Sequence, residues 1–583
     1  MSASTTDAGV TSAGPRLMIA CGLALAFSAL YAACPPDVTF QSWDSLSYAY
    51  AAETEGLRAL WGNHPLGHVF LNGTLNIFRH LGYQGRALPL FQTVNSTVSG
   101  LAVAGMFLLC CELDLSPLGA LGIALILGAS PGFWLLAGAA DIYSVAFVLG
   151  IASWGTLLRH TRSDEGRSLW LPGSCTGLAI LAHQLNFTMV PAALLLILMQ
   201  GTGRHPAKRV LTFAGGCGCA VITGYAVLGY LATASTAPSV IIRWMRGYAG
   251  DVGYGGHLVI ASLPIAWSTL SGAIVHTAFQ FIRPDVALVA RLARGVLVGL
   301  LCATTAYGIV GYRRLGRVRQ AALAAALLQF LCGAMLTVWW APFHQRFWVL
   351  TLLPWLIAIA CSSSGMRLPP RVGQLAAGAG RHGTVIGNHN GTPTPVRSDR
   401  LPILLGVGIF LFNLPCMLVF EARPAPQMKT ALDHWLEHSQ PGDVLIPPDG
   451  LIPLLRYWAD RPNTLHMYIC LKAGTPDDVL KPLREAIDDR LRCSGKVLFA
   501  PAALDALGDD EWSHVHASRA QLRQFFKRYR LTEAFSTVDP SRGTSMPVYQ
   551  LTASGASAAA DPPSRTALHC GMLEHNTCTF RVD

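Results

Sequence analysis

Long apolar runs recur along the first 420 residues, separated by short polar segments. Each run is about as long as a helix that crosses the ~30 Å hydrocarbon core of a bilayer. The pattern predicts about eleven transmembrane helices. They are expected at residues 17–34, 87–110, 117–138, 141–158, 169–183, 185–201, 210–232, 287–312, 321–341, 345–361 and 401–420.

Composition agrees with this reading. The 583 residues are 52% hydrophobic and only 13% charged, whereas soluble proteins carry about 25% charged residues. One soluble core cannot absorb so much apolar surface. The net charge of +10 does not indicate nucleic-acid binding, because the arginines lie in short runs between apolar segments, as in cytoplasmic loops.

Charge also predicts the orientation of the chain. The most basic segments between spans are 159–167, 204–209, 312–319 and 362–400. The positive-inside rule places all four in the cytoplasm if the N-terminus is cytoplasmic. Residues 35–86, which form the first outer loop, and everything after Glu421 then lie outside, and we expect a bacterial inner (cell) membrane.

One apolar stretch does not fit this alternation. Residues 258–282 are apolar enough to form another span, but counting them as one would place 312–319 outside. We therefore interpret this stretch as a helix that lies on, or dips into, the outer face.

The chain divides into two domains by composition. Residues 1–420 form the predicted transmembrane domain, in which 362–400 is a flexible cytoplasmic loop rich in Gly, Ser, Pro and Arg. Residues 421–583 alternate predicted strands (442–448, 464–469 and 495–501) with helices, which indicates a small extracytoplasmic α/β domain. This region has no phosphate-binding glycine motif of the nucleotide-binding kinds.

Four cysteines lie in this C-terminal region: Cys470, Cys493, Cys570 and Cys578. An even number in an exported domain permits two disulfides, but the pairing cannot be read from the sequence. Free buried thiols are the alternative.

Two acidic residues belong to outer segments. Asp44 lies in "SWDSLSYAYA" of the first outer loop, and Asp141 lies with Tyr143 in the short second outer turn "AGAADIYS". Each Asp has a structural interpretation as a helix N-cap. Together, two carboxylates at one water–membrane boundary can deprotonate an acceptor and position it or a metal. Glu53 and Glu55, in contrast, look solvated.

Histidine follows in "NHPLGH", where His64 is either a turn-stabilising residue or a substrate-binding one. His64 and His68 are four residues apart, but no third ligand is indicated for zinc. We therefore predict no metal site from them.

Basic residues occur at outer boundaries as well. Arg243 and Arg246 lie in "IIRWMRGYAG", and His344 and Arg346 lie in "HQRFW". Outer arginines oppose the positive-inside bias, which favours a role in binding a phosphate or pyrophosphate headgroup. Snorkelling of Arg beside interfacial aromatic residues is the alternative.

The order of these motifs resembles the GT-C superfamily of integral membrane glycosyltransferases, in the branch of protein mannosyltransferases and lipid A aminoarabinose transferases. The resemblance covers roughly residues 15–420 and uses "SWDSLSYAYA", "NHPLGH", "ADIYS", "LAHQLNFTMVPAALLL" and "HQRFW". It implies that Asp44 is the catalytic base and that Asp141 organises the acceptor or a metal. It also implies that Arg346, with Arg243 and Arg246, binds the lipid phosphate.

The first motif departs from the family, since Asp44 has no adjacent acidic neighbour. This makes metal dependence doubtful, so no metal ligand is assigned, although a divalent cation remains compatible.

The function expected from the resemblance is transfer of a sugar from a polyprenyl-phosphate donor in the membrane lipid to a lipid, glycan or protein acceptor outside. Two alternatives stay open. One is a transporter or flippase, for which His183 and Asn186 would serve, and the other is an O-antigen ligase or polymerase.

Overall fold

The computed structural model describes most of the membrane part and, with more gaps, the C-terminal part. The described residues are 13–37, 43–162, 168–200, 206–251, 262–275, 287–340, 345–363, 400–416, 418, 426–448, 451–452, 454–461, 463–465, 467, 478, 480–504, 518–540 and 543–553. The predicted loop 362–400 lies almost wholly outside them, and Cys470, Cys570 and Cys578 do so entirely.

Helices make up the described part of the first 420 residues. In chain order they are α1 (Ala13–Ala33), α2 (Trp43–Thr54), α3 (Pro65–His80), α4 (Ala87–Glu112), α5 (Pro117–Ala129), α6 (Pro131–Gly138), α7 (Tyr143–Arg162), α8 (Trp170–Ala182), α9 (Met189–Gln200), α10 (Pro206–Thr233), α11 (Pro238–Asp251), α12 (Leu263–Ile274), α13 (Ala287–Val310), α14 (Arg317–Trp340), α15 (Gln345–Ser363) and α16 (Arg400–Cys416).

A helix lies at each of the eleven predicted positions, but the helices differ in their capacity to span. Six of those in the described segments are long and apolar enough to cross a membrane: α1, α4, α10, α13, α14 and α15. Helices α8, α12 and α16, and residues 184–200, are apolar but shorter. The structure therefore supports a polytopic membrane protein, and the count of eleven stays a prediction.

The predicted span 117–138 is not one straight helix. It consists of α5 and α6, which are bent by 63° at Ser130. Pro131 explains the break, because a proline disfavours the helical conformation in the residue before it. Ser130 is indeed extended, with ψ of 125°. Counted as one span, this pair raises the number of candidate spans to seven.

Residues 426–553, called the C-terminal unit below, contain helices and one four-stranded sheet of order β1-β2-β4-β3. The strands β1 and β2 are parallel, and β4 runs antiparallel to both β2 and β3. The elements are α17 (Pro426–His438), β1 (Val444–Ile446), a π-helix (Leu454–Trp458), α18 (Lys481–Arg492), β2 (Val497–Phe499), α19 (Arg519–Phe526), β3 (Tyr529–Val538) and β4 (Ser545–Ala553).

Two of the three strands predicted for this unit are confirmed. Strands β1 and β2 lie within the predicted 442–448 and 495–501. Of the predicted 464–469, the described residues make only an isolated bridge between Thr464 and Leu445. The β3–β4 hairpin is not among the predicted strands. The pattern of "RAQLRQFFKRYRL" predicts one helix, whereas α19 ends at Phe526 and β3 begins at Tyr529.

Close helix packing occurs where glycines meet. A Cβ added to Gly122 of α5 would clash with the carbonyl of Pro402, and one added to Gly406 of α16 would clash with the carbonyl oxygen of Gly122. The backbones of α5 and α16 are therefore in direct contact, as small residues allow in membrane helix pairs.

Alanine stabilises a helix by ~1 kcal/mol relative to glycine. This contact nevertheless predicts that Gly406→Ala destabilises the protein. Overpacking at a close contact costs about 1–3 kcal/mol. The matched control is Gly299→Ala on α13, where an added Cβ meets nothing within 4 Å. Thermal unfolding in detergent should show a lower Tm for Gly406→Ala than for wild type, and a Tm for Gly299→Ala that is equal or higher. Equal Tm values for the two variants would contradict the close contact.

Candidate active site

An arginine and two aspartates from three distant parts of the chain meet in one cluster. Nη1 of Arg346 lies 2.5 Å from Oδ2 of Asp44 and 3.7 Å from Oδ2 of Asp141. The side chains of Asp44 and Arg346 are 24% and 22% exposed, whereas that of Asp141 is fully buried. We call these three residues the charged cluster.

Local structure accounts for each position. Asp44 lies in the first turn of α2, where a carboxylate interacts favourably with the helix dipole. Arg346 lies in the first turn of α15, where a cation is opposed by the dipole. The two carboxylates offset this unfavourable placement, so the arginine position makes physical sense only as part of the cluster.

Asp141 lies in the turn between α6 and α7, outside both helices. The side-chain amide of Asn95 fixes this turn by donating to the carbonyl oxygens of Ala139, at 2.7 Å, and of Asp141 itself. Oδ1 of Asp141 accepts a 2.7 Å hydrogen bond from the Ile142 N–H. This N–H precedes α7, so the bond does not cap the second or third residue of that helix, as an N-cap would.

Burial raises the pKa of Asp141, and the charge of Asp44 adds to this effect, while Arg346 and the Ile142 N–H oppose it. The net direction is upward. Asp141 therefore holds a proton more readily than an exposed aspartate, whereas Asp44 is partly open to solvent and directly paired. The two acids occupy different environments, as the acid and base of an active site commonly do.

A stack of imidazole rings lies beside the charged cluster. The His64 ring is parallel to that of His68, with centroids 5.0 Å apart, and to that of His183, at 5.9 Å. Oη of Tyr48 is 2.8 Å from Nε2 of His64. Burial lowers the pKa of His64, with further lowering by the two other imidazoles, so the ring is neutral. Tyr143 packs against His183 at 4.6 Å.

Two tyrosines connect the stack to the charges. Tyr48 lies four residues after Asp44 on α2, so the two side chains share one helix face. Both Tyr48 and Tyr143 lie close enough to Arg346 to interact electrostatically with its guanidinium. The stack and the charged cluster therefore form one site.

Of the eight residues proposed from sequence, the structure brings Asp44, Asp141, Arg346, His64 and Tyr143 into this site. Arg243 is exposed on α11, and no ion pair joins it to the cluster within the described residues. His344 and the side chain of Arg246 lie outside the described residues.

Sequence reasoning missed Tyr48 and Asn95. It considered His68 only as a metal ligand and assigned His183 a role only in the transport alternative. The signal for Tyr48 was its spacing from Asp44. In the part of the chain that the structure describes, no group of three His, Cys, Asp or Glu side chains is arranged to hold a metal ion.

Glu53 was expected to be solvated, but it forms hydrogen bonds within the protein. Its Oε1 accepts hydrogen bonds from the backbone N–H of Ala87 and, at 3.0 Å, from the hydroxyl of Tyr457.

The cluster predicts a pH-dependent stability defect in Arg346→Gln. Without the cation, burial and the neighbouring Asp44 carboxylate raise the pKa of Asp141 unopposed by Arg346 in the folded state. Stability is then lost as pH rises through the raised folded-state pKa. The Tm deficit of Arg346→Gln relative to wild type should be larger at pH 8 than at pH 5. The control is Arg58→Gln, at an exposed position, for which the difference should not vary with pH. A deficit that is constant with pH would contradict the ion-pair arrangement.

Comparison with known families shows a match to part of the chain. A family model described as the protein O-mannosyl-transferase TMEM260 N-terminal domain matches residues 63–205. The matched segment contains His64, Asp141, Tyr143 and His183, but neither Asp44 nor Arg346. No curated protein matches the chain.

Proposed function

We propose that the chain is a membrane glycosyltransferase that transfers a sugar from a polyprenyl-phosphate donor to an acceptor on the outer face. The observation that carries this proposal is the pairing of Arg346 with Asp44 and Asp141 beside a neutral imidazole stack. The match to a protein O-mannosyl-transferase domain supports sugar transfer independently of this geometry.

Asp44 is the base in this proposal. The ion pair with Arg346 holds its carboxylate in place, and partial exposure lets an acceptor approach it. Its carboxylate takes the proton of an acceptor hydroxyl, whose oxygen attacks the anomeric carbon of the donor. The bond between that carbon and the phosphate oxygen breaks, and polyprenyl phosphate leaves with the bonding electrons. Attack opposite the leaving group inverts the anomeric centre.

Arg346 is the proposed phosphate ligand. A guanidinium has five N–H donors, and both described carboxylate contacts use the single atom Nη1. The remaining donors suit a phosphate oxygen, with which arginine makes strong charge-assisted hydrogen bonds. Asp141, buried behind it, keeps the guanidinium oriented. Arg243, Arg246 and His344 stay proposed donor-binding residues, and His64 and Tyr143 proposed sugar-binding ones.

The matched family's description favours mannose as the sugar and a hydroxyl of a protein as the acceptor. Lipid and glycan acceptors, as well as membrane lipid around the donor, remain part of the proposal. An assay that offers all three acceptor types decides among them.

The proposed topology has a cytoplasmic N-terminus, about eleven spans and an extracytoplasmic C-terminal domain. Contact between Tyr457 and Glu53 supports placing the C-terminal unit on the same side as α2. Cys493 is disulfide-bonded, which is typical of exported domains. Both observations support the outer location of the site.

The two residues that the transporter alternative would use both make local hydrogen bonds. The Asn186 amide donates to the carbonyl oxygens of Ala179, at 2.9 Å, and Ala146, at 3.3 Å, so it stabilises the break between α8 and α9. Nδ1 of His183 accepts from the Leu185 N–H at 3.2 Å. These bonds give both residues local structural partners rather than a transported substrate.

The direct test is transfer from a polyprenyl-phosphate sugar by purified wild type and Asp44→Asn. Loss of a positioned base removes ~10²–10⁴-fold of rate, while asparagine preserves the shape of the side chain. The matched control is Asp114→Asn, since Asp114 is another arginine-paired aspartate, 3.1 Å from Arg162 and remote in sequence from the site residues. Asp114→Asn should keep wild-type turnover. Near wild-type turnover by folded Asp44→Asn would contradict the role of Asp44 as the base.

Topology makes a separate prediction. A reporter enzyme that works only outside the cytoplasm should be active when fused after residue 421 and inactive when inserted near residue 385. The reverse pattern would move Asp44 to the cytoplasmic face and overturn the proposed mechanism.

A further inference from the structure

A tyrosine of the C-terminal unit contacts the start of α4. The Tyr457 hydroxyl donates to Oε1 of Glu53 at 3.0 Å and accepts from the Leu88 N–H at 3.0 Å. Glu53 also accepts from the Ala87 N–H. The first N–H groups of a helix have no partner within it, and Arg86, at the N-cap of α4, supplies no side-chain cap. Glu53 and Tyr457 therefore cap α4 from outside.

Arg86 reinforces the same contact. Its Nη2 lies 2.6 Å from each carboxylate oxygen of Asp460, its Nη1 donates to the Tyr457 carbonyl oxygen, and its guanidinium lies 5.3 Å from the Tyr457 ring centroid. Asp460 has φ of +52°, a left-handed conformation that is strained for a residue other than glycine. Such strain persists where the surroundings hold the residue in place.

Glu53 lies at the opposite end of α2 from Asp44, nine residues later, or ~14 Å along a helix axis. The helix dipole disfavours a carboxylate in the last turn of a helix. The position of Glu53 is therefore not stabilised by α2 alone. Glu53 is stabilised instead by its hydrogen bonds with the start of α4 and with Tyr457. Helix α2 is thus held at its first turn by Arg346 and at its last turn by the C-terminal unit.

We propose that Tyr457 and Glu53 are positioning residues, through which the C-terminal unit clamps α2 and keeps Asp44 at Arg346. The catalytic part of this inference rests on the proposed function. The clamp itself does not rest on the proposed function, because it concerns only the rigidity of α2.

Hydrogen–deuterium exchange of the segment 43–54 in Tyr457→Phe tests the clamp without any activity. Phenylalanine keeps the ring over Arg86 and removes only the hydroxyl. The matched control is Tyr529→Phe, which loses a similar tyrosine–carboxylate bond, 2.8 Å to Asp488, within the C-terminal unit. A hydrogen bond to a charged group is strong enough to change local opening about tenfold. Exchange of 43–54 should rise about tenfold in Tyr457→Phe and stay at the wild-type rate in Tyr529→Phe. Equal exchange in the two variants would overturn the clamp.

Kinetic measurements test whether the clamp positions Asp44 for catalysis. Tyr457→Phe and Glu53→Gln should each lower kcat about tenfold, leave KM for the lipid-linked donor unchanged, and show no further loss when combined. Tyr529→Phe should match wild type. If wild type itself transfers no sugar, the proposed function fails, and the exchange result alone decides the clamp. If wild type is active and Tyr457→Phe keeps the kcat of Tyr529→Phe, the positioning role is wrong.

Discussion

The position of Arg346 between Asp44 and Asp141 is the interaction on which the proposed site depends. Asp141 is fully buried, and a buried carboxylate without a partner is strongly unfavourable when ionised. The guanidinium compensates this charge and at the same time pairs with Asp44. Separating the partners of a buried ion pair is strongly destabilising, because it leaves a charge buried without compensation. The cluster therefore constrains three segments at once: α2, the turn before α7, and the start of α15.

The remaining features of the site maintain this constraint. Asn95 fixes the turn that carries Asp141. The imidazole stack connects α3 to the end of α8 and, through Tyr48, to the same face of α2 as Asp44. The C-terminal unit contacts the far end of α2 through Tyr457. In the proposed mechanism the base must keep its position relative to the acceptor, and these contacts restrict the positions that Asp44 can take.

Local patterns in the sequence located a helix at each of the eleven predicted positions, because long apolar runs stand out from the polar segments between them. They also singled out Asp44, Asp141 and Arg346, since charged residues at membrane boundaries are unusual. They failed at Ser130, where Pro131 breaks a run that hydropathy alone reads as continuous. They failed again at the β3–β4 hairpin, whose first strand follows a helix after only two residues. Glu53 was misjudged because its partners Ala87 and Tyr457 are distant in sequence, and no local pattern encodes such contacts.

The central claim, that this chain transfers a sugar, is tested most directly by mass spectrometry of the lipids, glycans and proteins of the cell envelope, with and without the protein. This measurement identifies the sugar and the acceptor together. The account predicts that one class of acceptor loses the mass of a single sugar residue when the protein is absent, and that wild type but not Asp44→Asn restores it. An envelope in which no molecule loses a sugar would contradict the account.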